Sequence, residues 1–125
     1  MQKKILIVED EVLQRKVLSD CFAQNGLTIL EASDGYEGLK IALDEHPDII
    51  VTDVRMPKMD GMAMIHKLRG DTWGTSVPII ILSNYDNSDA QLMQILVDHP
   101  SYYLMKADSS LESIVEKIKG ILELP

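Results

Sequence analysis

Length, composition and charge restrict this chain to a few classes of protein. Its 125 residues, with a charged fraction of 26%, suffice for one compact domain over residues 1–125, and a second domain is not expected. The net charge of −8 and the lack of a basic stripe disfavour direct binding of nucleic acid. The single cysteine, Cys21, rules out an internal disulfide and suits a reducing cytoplasm. The apolar run that follows Lys4 is too short for a signal sequence or a membrane span.

Short apolar runs alternate with helical periods along the chain. In chain order, the first half is predicted to hold a strand at 5–8, a helix at 11–24, a strand at 28–32, a helix at 36–45, a strand at 49–52 and a helix at 61–69. The second half continues with a strand at 79–82, a helix from 89 to about 98, a strand at 103–105 and a last helix at 111–122. The strand runs are branched and do not alternate with polar residues, which is typical of a parallel sheet covered on both faces. The pattern therefore predicts an α/β fold with helices on both faces of the sheet.

The first predicted helix carries an apolar stripe. Leu13, Val17 and Cys21 recur at every fourth position, with Leu18 and Phe22 beside them. This spacing predicts a face that packs on the sheet and a core thiol at Cys21.

The sequence also gives expectations for one helix cap and two aromatic residues. Ser109 and Glu112 have the spacing of a capping box at the start of the last helix. His46, at a helix end, and Trp73, in a turn-rich loop, are predicted to be solvated surface residues.

Polar side chains follow four of the predicted strands at the point where each strand ends. They are Glu9 and Asp10 after the first strand, Asp53 after the third, Ser83 after the fourth and Lys106 after the fifth. Because ligands of open α/β sheets bind just beyond the carboxyl ends of the strands, we expect these groups to share one rim. Taken alone, Glu9 is more typical of an acid that solvates a loop or caps a helix. Three converging carboxylates repel one another unless a cation neutralises them, and oxygen ligands without Cys or His spacing favour Mg²⁺ over zinc.

Four motifs, each placed directly after a strand, resemble the receiver domain of two-component response regulators. They are Val8-Glu9-Asp10-Glu11, Asp53 followed by the run 56–61, the hydroxyl of Ser83 and Tyr103-Leu104-Met105-Lys106. The resemblance covers the whole chain. It implies a flavodoxin-like, doubly wound parallel sheet of five strands in the order 2-1-3-4-5, with helices on both faces.

The resemblance also implies the chemistry of the rim. Asp53 takes the place of the aspartate that accepts a phosphoryl group from the phosphohistidine of a sensor histidine kinase or a phosphotransfer protein. The implied Mg²⁺ ligands are Glu9, Asp10, Asp53 and the backbone carbonyl of Arg55, while Lys106 and Ser83 hold the phosphoryl oxygens. Such a chain phosphorylates and dephosphorylates itself but is not a turnover enzyme.

The same resemblance implies a switch. Ser83 moves toward the new phosphoryl group and Tyr103 turns inward, which alters the face built from the predicted helix at 89–98, the fifth strand and the last helix. This face is expected to contact a downstream protein target, or a second copy of the chain in a phosphorylation-dependent homodimer. The predicted function is a receiver of two-component signal transduction in the cytoplasm.

Three other functions fit these residues less well. A receiver-like interaction module that is never phosphorylated would keep the fold, but all the acidic, hydroxyl and ammonium positions are filled here. A hydrolase of the haloacid dehalogenase type needs a second aspartate two residues after its nucleophile, where this chain has Arg55. A flavodoxin-like flavin carrier needs a neutral phosphate loop, and Glu9-Asp10-Glu11 would repel the flavin phosphate.

Two positions depart from the pattern of the family. Ala107 follows Lys106 where proline is usual, and we expect a trans bond there because a cis bond before a non-proline residue costs about 2.5–4 kcal/mol. Asn84 and Tyr85 follow Ser83 where a small residue is common. With Arg55, the bulk of Tyr85 predicts slow hydrolysis of the aspartyl phosphate.

Overall fold

The computed structural model describes residues 2–54, 56–83, 101–105 and 110–125. Several predictions lie outside the described residues: the helix at 89–98, Arg55, Asn84, Tyr85, Lys106, the Lys106-Ala107 bond and Ser109. The side chains of Ser83 and Tyr103 also lie outside them, although the backbone of both is described.

The described ranges contain strands and helices close to the predicted bounds. They are β1 (Lys4–Val8), α1 (Val12–Gln24), β2 (Thr28–Ala32), α2 (Gly35–Glu45), β3 (Ile49–Asp53), α3 (Gly61–Arg69), β4 (Ile79–Ser83), β5 (Ser101–Met105) and α4 (Leu111–Ile121). In this part of the chain, no helix is both long and apolar enough to cross a membrane.

The strands form one parallel sheet in the order β2-β1-β3-β4-β5, which confirms the predicted topology. This register places the carboxyl ends of β1, β3 and β4 side by side. Val8 pairs with Thr52, and Asp53 pairs with Leu82. Asp53 is the last residue of β3 and Glu9 directly follows β1, so both lie at one edge of the sheet.

Each face of the sheet has its own apolar core, because successive residues of a strand point to opposite faces. On one face, residues such as Leu6, Ile50 and Ile81 pack with α2 and α3. On the other, residues such as Ile7 and Val51 pack with α1 and α4, through a set that includes Leu18, Phe22, Ile114, Val115 and Ile118. The predicted arrangement of helices on both faces is confirmed.

The predicted core stripe of α1 is wrong in part. Leu18 and Phe22 are buried, but Leu13 is 78% exposed and Val17 is 50% exposed. Cys21 is partly buried at the edge of the core. Leu18 and Phe22 lie four residues apart on the face that meets the sheet, and positions 13 and 17 are rotated about 100° or more away from them. Periodicity identified the helix but not which of two apolar stripes the sheet would cover.

Two local expectations also need correction. The cap of α4 is Ser110, whose Oγ accepts a hydrogen bond from the Ser113 N–H at 3.1 Å, rather than Ser109 in a capping box with Glu112. The helix begins at Leu111, so the residue three places after its cap is a serine. Trp73 is half-buried, and its ring stacks on that of His46 with centroids 4.4 Å apart.

Candidate functional site

Three acidic side chains meet where β1 and β3 end. Carboxylate oxygens of Glu9, Asp10 and Asp53 all lie within 4.8 Å of one another. Glu9 is buried, Asp53 is half-buried and Asp10 is exposed, so the group opens to solvent on one side. The convergence expected from the strand ends is therefore present in the structure.

This arrangement is electrostatically costly without a cation. Two unit charges about 4.8 Å apart repel by roughly 3 kcal/mol at the effective dielectric constant of a protein surface. A dication offsets this repulsion, and a set made only of carboxylate oxygens is the donor chemistry that Mg²⁺ prefers. The three residues therefore fit the predicted ion in charge and in donor type.

Arg15 closes the turn between β1 and α1, a contact that sequence reasoning missed. Its Nη1 donates to the main-chain oxygen of Glu9 at 2.7 Å, and its Nε lies 3.6 Å from Oε1 of Glu31 on β2. The Glu9 N–H donates to the Ala32 oxygen at 3.0 Å. The turn that carries the acidic pair is thereby tied to its own helix and to the neighbouring strand. The sequence signal that could have predicted this contact is an arginine in the first turn of the helix that follows an acidic pair.

The backbone of Asp53 is held from both sides. Its Oδ1 accepts a hydrogen bond from the Val54 N–H at 2.8 Å, and the Thr52 hydroxyl donates to its carbonyl at 2.9 Å. Gly61, the first residue of α3, donates its N–H to the Val54 oxygen at 2.7 Å. A Cβ at Gly61 would lie 2.0 Å from the Asp53 oxygen, so only glycine allows this approach.

The other predicted site residues are located only as far as the backbone is described. Ser83 ends β4 and pairs with Met105, the last residue of β5, at the same edge of the sheet as Asp53. Tyr103 lies in the middle of β5, paired with Ile81. Lys106 follows β5 directly in the sequence, and like Arg55 it lies outside the described residues.

The sequence matches a known protein family over most of its length. The sequence profile of the family described as "Response regulator receiver domain" matches residues 5–119. The chain belongs to the response regulator receiver family. The family resemblance predicted from the four motifs is confirmed, and with it the function of a phosphoacceptor module in two-component signal transduction.

Curated relatives of this receiver domain include longer regulators. The "Probable transcriptional regulator ycf27" of Cyanophora paradoxa is 40% identical over 82 residues, which cover 66% of this chain and 33% of that protein. The "Alkaline phosphatase synthesis transcriptional regulatory protein PhoP" of Bacillus subtilis is 34% identical over 122 residues, which cover 98% of this chain and 49% of that protein. The chain spans about a third to a half of the length of these relatives.

Solved structures show the same fold over nearly the whole chain. The chemotaxis response regulator CheY4 of Vibrio cholerae has a TM-score of 0.84 at 24% identity, covering 97% of this chain and 99% of that chain. The receiver domain of the Francisella response regulator 1452 has a TM-score of 0.84 at 25% identity, covering 98% of each chain.

Proposed function

We propose that Asp53 of this receiver domain accepts a phosphoryl group from the phosphohistidine of a sensor histidine kinase or a phosphotransfer protein. The observation that carries the proposal is the meeting of three carboxylates within 4.8 Å at the ends of β1 and β3. A carboxylate oxygen of Asp53 bonds to phosphorus as the bond from phosphorus to the donor imidazole breaks, and an acyl phosphate results. Mg²⁺, when bound, would neutralise charge on the transferring group.

The residues of the site divide this work. Glu9 and Asp10 would hold the ion together with Asp53, and the fixed backbone of Asp53 would keep its carboxylate at the edge of the sheet. The family resemblance adds the Arg55 carbonyl as a further ligand. It also adds Lys106 and Ser83 as the cation and the hydroxyl that bind the remaining phosphoryl oxygens. We also propose that residues 1–125 form a single receiver domain. In this proposal the domain acts in the cytoplasm and is not a turnover enzyme.

Incubation of the whole chain with acetyl phosphate and Mg²⁺ tests the proposal directly. Intact-mass spectrometry is expected to show the addition of one phosphoryl group, which hydroxylamine should remove because it cleaves acyl phosphates. Failure of any addition would favour the alternative of a receiver-like interaction module that is never phosphorylated.

The proposal includes a conformational switch at the face formed by β5 and α4. Tyr102 and Tyr103 are adjacent residues of β5. The Tyr102 ring lies under Lys117 of α4, with Nζ 4.6 Å from its centroid, so this ring has a packing partner. Tyr103 is the switch residue that the family resemblance implies. A downstream protein target or a second copy of the chain would bind differently according to its conformation.

We expect beryllofluoride, a mimic of the phosphoryl group, to move the NMR signals of Tyr103 and of residues 111–118 as well as those of the acidic site. The ring signals of Trp73, which lies in the loop between α3 and β4 and stacks on His46, are the internal reference and should move less. Changes restricted to the acidic site would show that the switch assignment is wrong.

Exposed apolar side chains near the acidic site suggest where the phosphoryl donor binds. Val12 is 66% exposed, and Leu13 and Val17 are exposed on the same helix within seven residues of Asp10. Contiguous exposed apolar residues are typical of protein contact surfaces. A phosphohistidine must reach Asp53 on a protein carrier, and the first turns of α1 adjoin the turn that holds Glu9 and Asp10. We therefore propose that the donor contacts this end of α1.

Leu13→Ser is expected to slow transfer from a phosphorylated histidine donor by about tenfold, because removing a contact at the centre of an interface typically costs 1–2 kcal/mol. Labelling by acetyl phosphate, which needs no protein contact, should be unchanged. Leu43→Ser is the matched control, since Leu43 is an exposed leucine on α2. Equal transfer rates for the two variants would contradict this docking site.

A further inference from the structure

The loop that joins Asp53 to α3 contains a strained turn. Lys58 has φ 66°, a left-handed value that is uncommon for a residue with a Cβ. The Met59 N–H donates to the Pro57 oxygen at 2.7 Å, two residues back, which makes this a γ-turn of the rarer positive-φ kind. Strain of this sort persists only where neighbouring structure holds it in place.

The first turn of α2 holds that loop. The Gly35 N–H donates to the Met59 oxygen at 2.8 Å. A Cβ at Gly35 would lie 2.2 Å from the same oxygen and 2.9 Å from the Asp60 oxygen, so no other residue fits without moving the loop. Asp34 is buried at 5% exposure, and its Oδ2 lies 3.7 Å from the Nζ of Lys58.

The backbone contact matters more than the ion pair. The Lys58 side chain is 75% exposed, and ion pairs open to water contribute little. Asp34 also caps α2, with its Oδ1 accepting from the Glu37 N–H at 2.8 Å. Its carboxylate therefore fixes the first turn of α2, while Gly35 itself makes the close contact with the loop.

A displacement of Met59 would be transmitted to Asp53 through the next two residues of the loop, Asp60 and Gly61. Asp60, the next residue, caps α3 by accepting from the Ala63 N–H at 2.8 Å. Gly61 then donates to the Val54 oxygen and lies against the Asp53 carbonyl. Moving the loop at Met59 thus shifts the residues that fix the backbone of Asp53.

We propose that the Asp34–Gly35 turn is a positioning element for the acidic site: its contact with Met59 holds the strained loop and thereby sets the geometry of Asp53 toward Mg²⁺. Gly35 acts through the Met59 peptide, so it is a positioning residue and not a catalytic one. The inference rests on the proposed Mg²⁺-dependent phosphoacceptor function of that site.

Gly35→Ala tests the inference against Gly74→Ala. At Gly74 a Cβ would lie 2.1 Å from the Leu68 oxygen, a clash of the same kind in the loop between α3 and β4. Both variants should unfold at lower temperature than the wild type. Only Gly35→Ala should weaken Mg²⁺ binding, by about tenfold or more, the size of effect seen when groups that support metal ligands are changed. Mg²⁺ titrations followed by the backbone amide signals of residues 9, 10 and 53 measure this affinity.

A second readout needs no metal. In the Mg²⁺-free protein, the amide proton of Gly61 should exchange with solvent faster in Gly35→Ala than in Gly74→Ala, because only the first substitution moves the loop that orients it. Equal exchange and equal Mg²⁺ affinity in the two variants would overturn the inference.

A measurement on the wild-type chain keeps the test decisive if Gly35→Ala does not fold. If the contact with Met59 and the acidic site are coupled, Mg²⁺ should slow the exchange of the Gly35 amide proton, which bonds to the Met59 oxygen, by severalfold. The Gly70 amide, which bonds to the Lys67 oxygen at the end of α3, is the control and should exchange at nearly the same rate with and without Mg²⁺. Equal effects of Mg²⁺ on the two amides would also overturn the inference. If the wild type itself shows no Mg²⁺-dependent shifts at residues 9, 10 and 53, it is the proposed function that fails, and this inference with it.

Discussion

Asp53→Asn is expected to abolish labelling of the chain by acetyl phosphate. The amide keeps the size of the side chain and can still accept the 2.8 Å hydrogen bond from the Val54 N–H, but it has no carboxylate oxygen to attack phosphorus. The variant should also be at least as stable as the wild type without Mg²⁺, because one of three clustered negative charges is gone. Intact-mass spectrometry measures the labelling and thermal unfolding measures the stability.

Asp60→Asn is the matched control for this experiment. Asp60 lies in the same loop, and asparagine caps a helix about as well as aspartate, so α3 should remain intact. The control should be labelled as the wild type is. Labelling of Asp53→Asn at the wild-type level would show that the phosphoryl group goes to another residue.

Mg²⁺ is expected to stabilise the wild-type chain strongly, and the double variant Glu9→Gln with Asp10→Asn should lose that response. At a Mg²⁺ concentration 100 times its dissociation constant, binding to the folded state contributes about 2.7 kcal/mol, which corresponds to roughly 10 °C in Tm for a domain of this size. Without Mg²⁺ the double variant should unfold at a higher temperature than the wild type, because removing two charges relieves the repulsion at the site.

A variant with the same change in net charge separates this effect from general electrostatics. Asp20→Asn with Glu116→Gln removes two acidic charges from exposed positions on α1 and α4. Its Tm should rise with Mg²⁺ as the wild-type Tm does. A Mg²⁺ response of wild-type size in the Glu9→Gln, Asp10→Asn variant would contradict the assignment of these two residues to the ion.

The acidic site shows how much of such a centre can be predicted from sequence. Glu9, Asp10 and Asp53 were assigned to one rim because each follows an apolar run, and parallel strands bring their carboxyl ends to one edge. The contacts that hold them were not predicted. Arg15 reaches back to the Glu9 carbonyl, and Gly35 lies against Met59, 24 positions further along the chain. The Gly35 contact leaves no periodic or local signal, and the Arg15 contact leaves only a cation in the first turn of the helix that follows the acidic pair.

The amino-acid sequence by itself determined the alternation of strands and helices, the fold class and the residue types at the strand ends, because these depend on local apolar patterns and on motifs that follow each strand. The tertiary structure alone decided which stripe of α1 is buried. The stripe with Leu18 and Phe22 meets the sheet, and Leu13 is left exposed near the acidic site. It also decided that Gly35, in the first turn of α2, contacts Met59 in the loop after Asp53. Both features depend on which surfaces of separate elements meet when they pack. The sequence of one helix or loop does not by itself specify which other element will pack against it.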